Sequence, residues 1–104
     1  MKIQFNTDSN ITESKELRDS LIALISEGLS RFSEHITRLG VHLSDENSLK
    51  EGLNDKRCLL EARLEGRQPI AVKNQANNLE NAVTGAVDKL KSSLDTKIGR
   101  SKNY

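Results

Sequence analysis

Tryptophan is absent from this chain, and the only aromatic side chains are Phe5, Phe32 and Tyr104. A hydrophobic core must therefore be assembled from Leu, Ile, Val and Ala. A single cysteine, Cys58, excludes an intramolecular disulfide and agrees with a reducing compartment. Long apolar runs are missing as well. The longest, Leu21 to Ile25, is far too short to span a bilayer, and Met1 to Phe5 lacks the apolar stretch of a secretory signal. A cytoplasmic location is the default expectation. Charge of one sign is also lacking: sixteen Lys and Arg face fifteen Asp and Glu, a net charge of +1. A free nucleic-acid binder usually carries a larger positive excess.

What remains is a composition of 35% hydrophobic and 30% charged residues, within the globular range. The 104 residues suffice for one domain with one core, expected over residues 1–100, followed by a short tail at 101–104. The charge is unevenly spread. Residues 1–34 hold four basic and six acidic side chains, whereas residues 88–104 hold five basic and two acidic ones.

Ile3 and Phe5 alternate with Lys2, Gln4 and Asn6, the period-2 pattern of a half-buried strand. Turn formers follow at residues 7–10, and Thr12 is placed as a helix N-cap ahead of Glu13 and Glu16. Leu17, Leu21, Leu24, Ile25, Leu29 and Phe32 then recur on one helical face. Gly28 shares that face, where glycine costs about 1 kcal/mol of helix propensity. A close contact with the sheet is the expected reason for it.

Three further strands are expected. In the first, Leu39, Val41 and Leu43 alternate with polar neighbours. In the second, Cys58, Leu60, Ala62 and Leu64 do the same, and in the third Ile70 and Val72. Each keeps one apolar and one polar face, as in an antiparallel sheet covered on one side. Pro69 marks a strand start or an edge. A second helix carries the stripe Leu79, Ala82, Val83, Ala86, Val87, Leu90 and Leu94, with Gly99 as its stop signal. The fold class is therefore α+β: β-α-β-β-β-α, one four-stranded sheet with two helices packed on one face.

The sheet's polar face offers Lys2, Arg38, His42, Arg57, Arg63 and Lys73. Glu61 and Glu65 are interleaved to form cross-strand ion pairs, and Leu59 is the one large apolar residue among them. Asp45, Glu46 and Asp55 lack the regular spacing and glycine of a calcium loop. His35 and His42 have no Cys or second His at zinc-ligand spacing. Cys58 falls on an apolar strand face, where it behaves as a small hydrophobe rather than a nucleophile. With no Gly-rich phosphate loop, serine elbow or paired-carboxylate arrangement, the sequence reads as a binding module without cofactor or metal, not an enzyme.

Two stretches carry a family resemblance. One is VHLSDENSLKEGLNDKRCLLEARLEGRQPIAVKNQA at residues 41–76. The other is LENAVTGAVDKLKSSLD at residues 79–95, centred on Asp88-Lys89-Leu90. Together with the order of elements they resemble the ribosome hibernation-promoting and ribosome-associated inhibitor family, also called sigma-factor modulation proteins, in its short form. The resemblance implies a non-enzymatic domain that sits on the small ribosomal subunit near the decoding site, excludes messenger and transfer RNA, and silences idle ribosomes under stress. It also implies contacts to ribosomal RNA from Lys and Arg of the helices and sheet: Lys89, Lys91, Lys97 and Arg100, with Arg38, Arg63 and Lys73. Three positions depart from the family's habit. Glu80 stands where Tyr is frequent, Thr84 where Asp is common, and Ser92 where Arg often occurs. Glu80, Ser92 and the near-neutral charge motivate an alternative, an adaptor of the same fold that has left the ribosome for a protein partner.

Overall fold

The computed structural model describes residues 1–8, 11, 14–45 and 55–99. In chain order it contains β1 (Lys2–Thr7), α1 (Lys15–Gly28), a 3-10 turn (Ser30–Phe32), β2 (Ile36–Asp45), β3 (Lys56–Leu64), β4 (Ile70–Ala76), α2 (Leu79–Leu94) and a π-helical turn (Asp95–Gly99). The order β-α-β-β-β-α is the one the periodicities predict. Residues 46–54, within the expected polar connection, and the expected tail at 101–104 lie outside the described residues, as does Thr12.

Each helix starts on a side chain that satisfies an otherwise orphaned backbone N–H. Ser14, in an extended conformation, accepts from Leu17 N at 3.1 Å, and Asn78 accepts from Asn81 N at 2.8 Å. Such caps contribute about 1 kcal/mol each. The α1 cap is therefore Ser14, with Glu16 in the first turn. At the other end α1 stops at Gly28, so Leu29 and Phe32 reach the core from the cap and the 3-10 turn rather than from the helix itself. Past α2, the π-helical turn delivers Ile98 to the core.

The four strands form one sheet in the order β1-β2-β3-β4. The β2–β3 and β3–β4 pairs are antiparallel, while β1 and β2 are parallel, because α1 carries the chain back between them. A bulge between Ile36 and Arg38 shifts the β2–β3 register, and Thr37 Oγ1 donates to Arg63 O at 3.1 Å. The extra residue lets Ile36 and Leu39 both face the core despite their odd spacing. Gly66, at φ +70°, makes the β3–β4 turn in the left-handed region that favours glycine.

Leu21, Ile25 and Leu29 on one side, and Val83, Val87, Leu90 and Leu94 on the other, close over Leu39, Val41, Leu43, Cys58 and Leu60. Each fully buried Leu, Ile or Val contributes roughly 1.5–3 kcal/mol relative to exposure. No polar or charged residue is buried among the described residues. Gly28 serves a different contact from the expected one. A Cβ there would stand 2.7 Å from Val87 Cγ1, so the glycine lets α1 cross close over α2, not over the sheet. No described element covers the opposite face of the sheet, and it is there that the cations of the strands are displayed.

Candidate nucleic-acid interface

Pairing sorts the bare face into cross-strand rows. Lys2 stands opposite Arg38, and Arg38 opposite Arg63, so three cations line one row across β1, β2 and β3. All three side chains are exposed, and none forms an ion pair among the described residues. Like charges directly opposite each other cost a sheet a few tenths of a kcal/mol or more. A row of this kind holds positive potential at the expense of the fold.

In the next row, Gly40 separates Gln4 from Glu61, which faces Ala71. Glu61 was expected to neutralise its cationic neighbours. Its partner is His42 on β2, one of those neighbours, whose Nε2 lies 3.2 Å from Oε1, and not an Arg or Lys. Glu65 lies beyond the end of β3, in the turn, and takes no part in the sheet face. The third row is Asn6, His42, Leu59 and Lys73, and the fourth pairs Ser44 with Arg57 and Arg57 with Gln75. Leu59 is half-buried within this polar surround.

At the β4 edge the sheet meets α2. Lys89 Nζ donates to Lys73 O at 3.0 Å, fixing one cation of the helix against the strand. Arg57, Lys73, Asn74, Gln75 and Lys89 line a cavity of about 270 Å³, with no carboxylate among these described lining residues. Asn74 takes a core-facing position of β4 and donates to Asn81 O at 3.4 Å and Ala82 O at 3.3 Å. It can do so because residue 85 is glycine: a Cβ there would fall 2.1 Å from Asn74 Nδ2. The Asn74–Gly85 contact thus seats α2 on β4 and holds Lys89 where it meets Lys73.

Two groups of the expected cations are therefore brought together: Arg38 with Arg63, and Lys73 with Lys89. The others are not. Lys91 lies two residues from Lys89, about 200° around the helix and so on its other flank. Lys97 is exposed beside the β3–β4 turn, where its carbonyl accepts from Arg67 Nη1 at 3.0 Å. Arg100 lies outside the described residues. Lys2 and Arg57 complete the two groups. Their signal was present in the period-2 pattern, which puts both on the polar face, but grouping them requires the strand register.

Groups of the residue types that other chemistry uses are placed differently. Lys56 Nζ lies 3.2 Å from Asp45 and 3.0 Å from Asp55, so a lysine sits between these carboxylates. Its pKa is raised, chiefly by the hydrogen bond to Asp55, with burial opposing and Asp45 adding to the shift. Glu46 lies outside the described residues. Cys58 is fully buried, and burial pushes its thiol up to about 12, far from the thiolate a nucleophile needs. No helix of the described residues is long and apolar enough to cross a membrane.

The four-stranded sheet with two helices on one face is shared with solved structures. The N-terminal domain of Thermus thermophilus Protein Y superposes with a TM-score of 0.71 at 22% identity, covering 92% of this chain and 98% of that one. A ribosomal subunit interface protein from Coxiella burnetii gives 0.71 at 18% identity, over 93% and 97% of the two chains. At these identities the likeness is one of fold. No curated protein sequence matches the chain. The model of the sigma 54 modulation protein / S30EA ribosomal protein family matches residues 10–102. With nearly its whole length inside that match, the chain belongs to the sigma 54 modulation protein / S30EA ribosomal protein family, as the two quoted stretches lead one to expect.

Proposed function

We propose that this protein is a ribosome hibernation factor that binds the small ribosomal subunit near the decoding site and blocks translation sterically. Family membership supports ribosome association. The observation that carries the RNA-facing part is the row Lys2–Arg38–Arg63, three exposed cations side by side with no ion pair among the described residues. Phosphate binding draws its affinity from counterion release, which needs cations grouped on one surface rather than a large net charge. A net charge of +1 is therefore compatible with an RNA-facing sheet.

The residues assigned to the contact are Arg38 and Arg63 in the row and Lys73 and Lys89 at the β4 edge. Lys91, Lys97 and Arg100 extend the basic surface along the C-terminal helical segment. Lys and Arg contacts of this kind position the domain on the RNA without reading sequence. Inhibition then follows from occupancy. A domain with principal extents of 51 × 25 × 20 Å fills space that messenger and transfer RNA would otherwise use.

Chemical footprinting of small subunits with and without the protein tests this reading. Protection of the decoding-region RNA, together with displacement of bound transfer RNA, is the expected result. Protection elsewhere, with transfer RNA retained, would refute the decoding-site assignment. Recovery of a specific protein and no ribosomal RNA from cells would favour the adaptor reading.

A further inference from the structure

Two cavities meet at Arg57. The one at the β4 edge, described above, is cationic. The other, about 400 Å³, lies on the bare face and is lined by Asn6, Asp8, His42, Arg57 and Leu59 among others. Arg57 belongs to both walls, and Leu59 of one cavity is the cross-strand partner of Lys73 of the other. The two spaces are therefore neighbours, one register step apart.

Their chemistry is complementary. In the β4-edge cavity, the ammonium of Lys89 spends one of its three donors on Lys73 O, and the described lining residues include no carboxylate. In the open-face cavity, half-buried Leu59 is the one large apolar side chain of an otherwise polar sheet face, with the His42 ring opposite it on β2. Asn6 supplies amide donors and an acceptor at its edge. The Asp8 carboxylate, which accepts from Asp45 N at 3.3 Å, makes this side hostile to a phosphate. Unpaired RNA bases are held on such surfaces, stacked on imidazole or guanidinium planes and hydrogen-bonded at their edges.

We infer that the paired cavities form a site for one unpaired ribonucleotide, its base against Leu59 and His42 and its phosphate between Arg57, Lys73 and Lys89. The inference rests on the RNA-binding reading above and sharpens it: this end of the sheet takes a single strand or a splayed-out base, not the side of a duplex. A duplex offers its phosphates to the cationic cavity but keeps its bases in the stack.

The test is a titration of isotopically labelled protein, followed through its backbone amides, with four probes: a tetraribonucleotide, the same chain without bases, inorganic phosphate and a short RNA duplex. The tetramer is expected to move His42, Leu59, Lys73 and Lys89 together. The base-free chain and phosphate are expected to move only the Lys73 and Lys89 side, and the base-free chain to bind about tenfold more weakly, as loss of one stacked base entails. Leu59→Thr retains strand propensity, and should bring the tetramer down to the affinity of the base-free chain while leaving the latter's affinity unchanged. Equal affinity for both chains, a duplex that moves His42 and Leu59 as the single strand does, or a tetramer that moves only the lysine side would each overturn the inference. Co-sedimentation with small subunits separates the two layers. Pelleting without the His42 and Leu59 response sinks the nucleotide site alone. That response without pelleting sinks the ribosome reading alone.

Discussion

Replacing Gly85 with Ala probes the joint that seats α2, and with it Lys89, on the edge of the sheet. The added methyl would lie 2.1 Å from Asn74 Nδ2 and 2.6 Å from its Cγ, so the amide must leave its place. It then gives up its bonds to Asn81 O and Ala82 O, at 3.4 and 3.3 Å. Bonds of this kind contribute about 0.5–1.5 kcal/mol each, and a partly buried amide left unpaired costs more. Against this, alanine gains about 1 kcal/mol over glycine in a helix interior. The balance is a loss of about 1–2 kcal/mol, or a melting temperature lower by roughly 4–8 °C for each kcal/mol in a domain of this size. With Asn74 already cut back to Ala the clash is gone, and the same Gly85→Ala change should stabilise the protein by up to about 1 kcal/mol. Urea denaturation of the wild type, both single variants and the double variant measures this change of sign directly. An effect of Gly85→Ala that is equal in the two backgrounds, to within about 0.5 kcal/mol, would refute the reasoning.

Other expectations follow from the same structure. Gly28→Ala should cost about 1–3 kcal/mol through overpacking against Val87, and adding Val87→Ala should reduce that cost; thermal melts of the pair decide it. Cys58, its thiol raised to about 12 by burial, should resist alkylation in the native protein and react only as the chain opens. Because its folded pKa lies above its unfolded value, its contribution is fully present below about pH 9 and is lost as pH rises toward about 12. Cys58→Ala should therefore show a shallower loss of stability over that window in denaturation curves taken at successive pH values. Arg38→Gln should relieve repulsion with Lys2 and Arg63, raising stability by a few tenths of a kcal/mol while weakening binding to ribosomal subunits. A variant that loses both stability and binding would show that Arg38 is a structural residue.

Much of the fold was legible in the sequence because apolar spacing changes period wherever the chain changes element. Ile3 and Phe5 alternate, Leu17 to Ile25 follow the helix, and Cys58 to Leu64 alternate again. Pro69 falls just before β4, and Gly99 ends the final helical turn. The bulge at Thr37 hid the true start of β2, because one extra residue breaks the alternation between Ile36 and Leu39. Gly28 was assigned to the sheet instead of α2, and Gly85 was not singled out, for a related reason. A missing side chain signals a close approach but not the partner, and the partners, Val87 and Asn74, are set by tertiary packing. The basic residues were individually visible, yet their grouping depends on register. The opposition of Lys2, Arg38 and Arg63 needs the parallel β1–β2 pair, and the meeting of Lys73 and Lys89 needs α2 to lie along β4. Asn74, a polar residue at an apolar position of its strand, was the one local sign that the β4 edge does more than pack.

The most direct test of the RNA-facing account is co-sedimentation with purified small ribosomal subunits across a salt series, with the wild type beside a variant carrying Arg38→Gln, Arg63→Gln, Lys73→Gln and Lys89→Gln. If each of these cations neutralises one phosphate, each removes close to one unit from the slope of log affinity against log salt. The account predicts saturable wild-type pelleting that falls steeply with salt, and a variant whose slope is shallower by about 3. Absence of wild-type pelleting at low salt, or a variant with an unchanged slope, would contradict it.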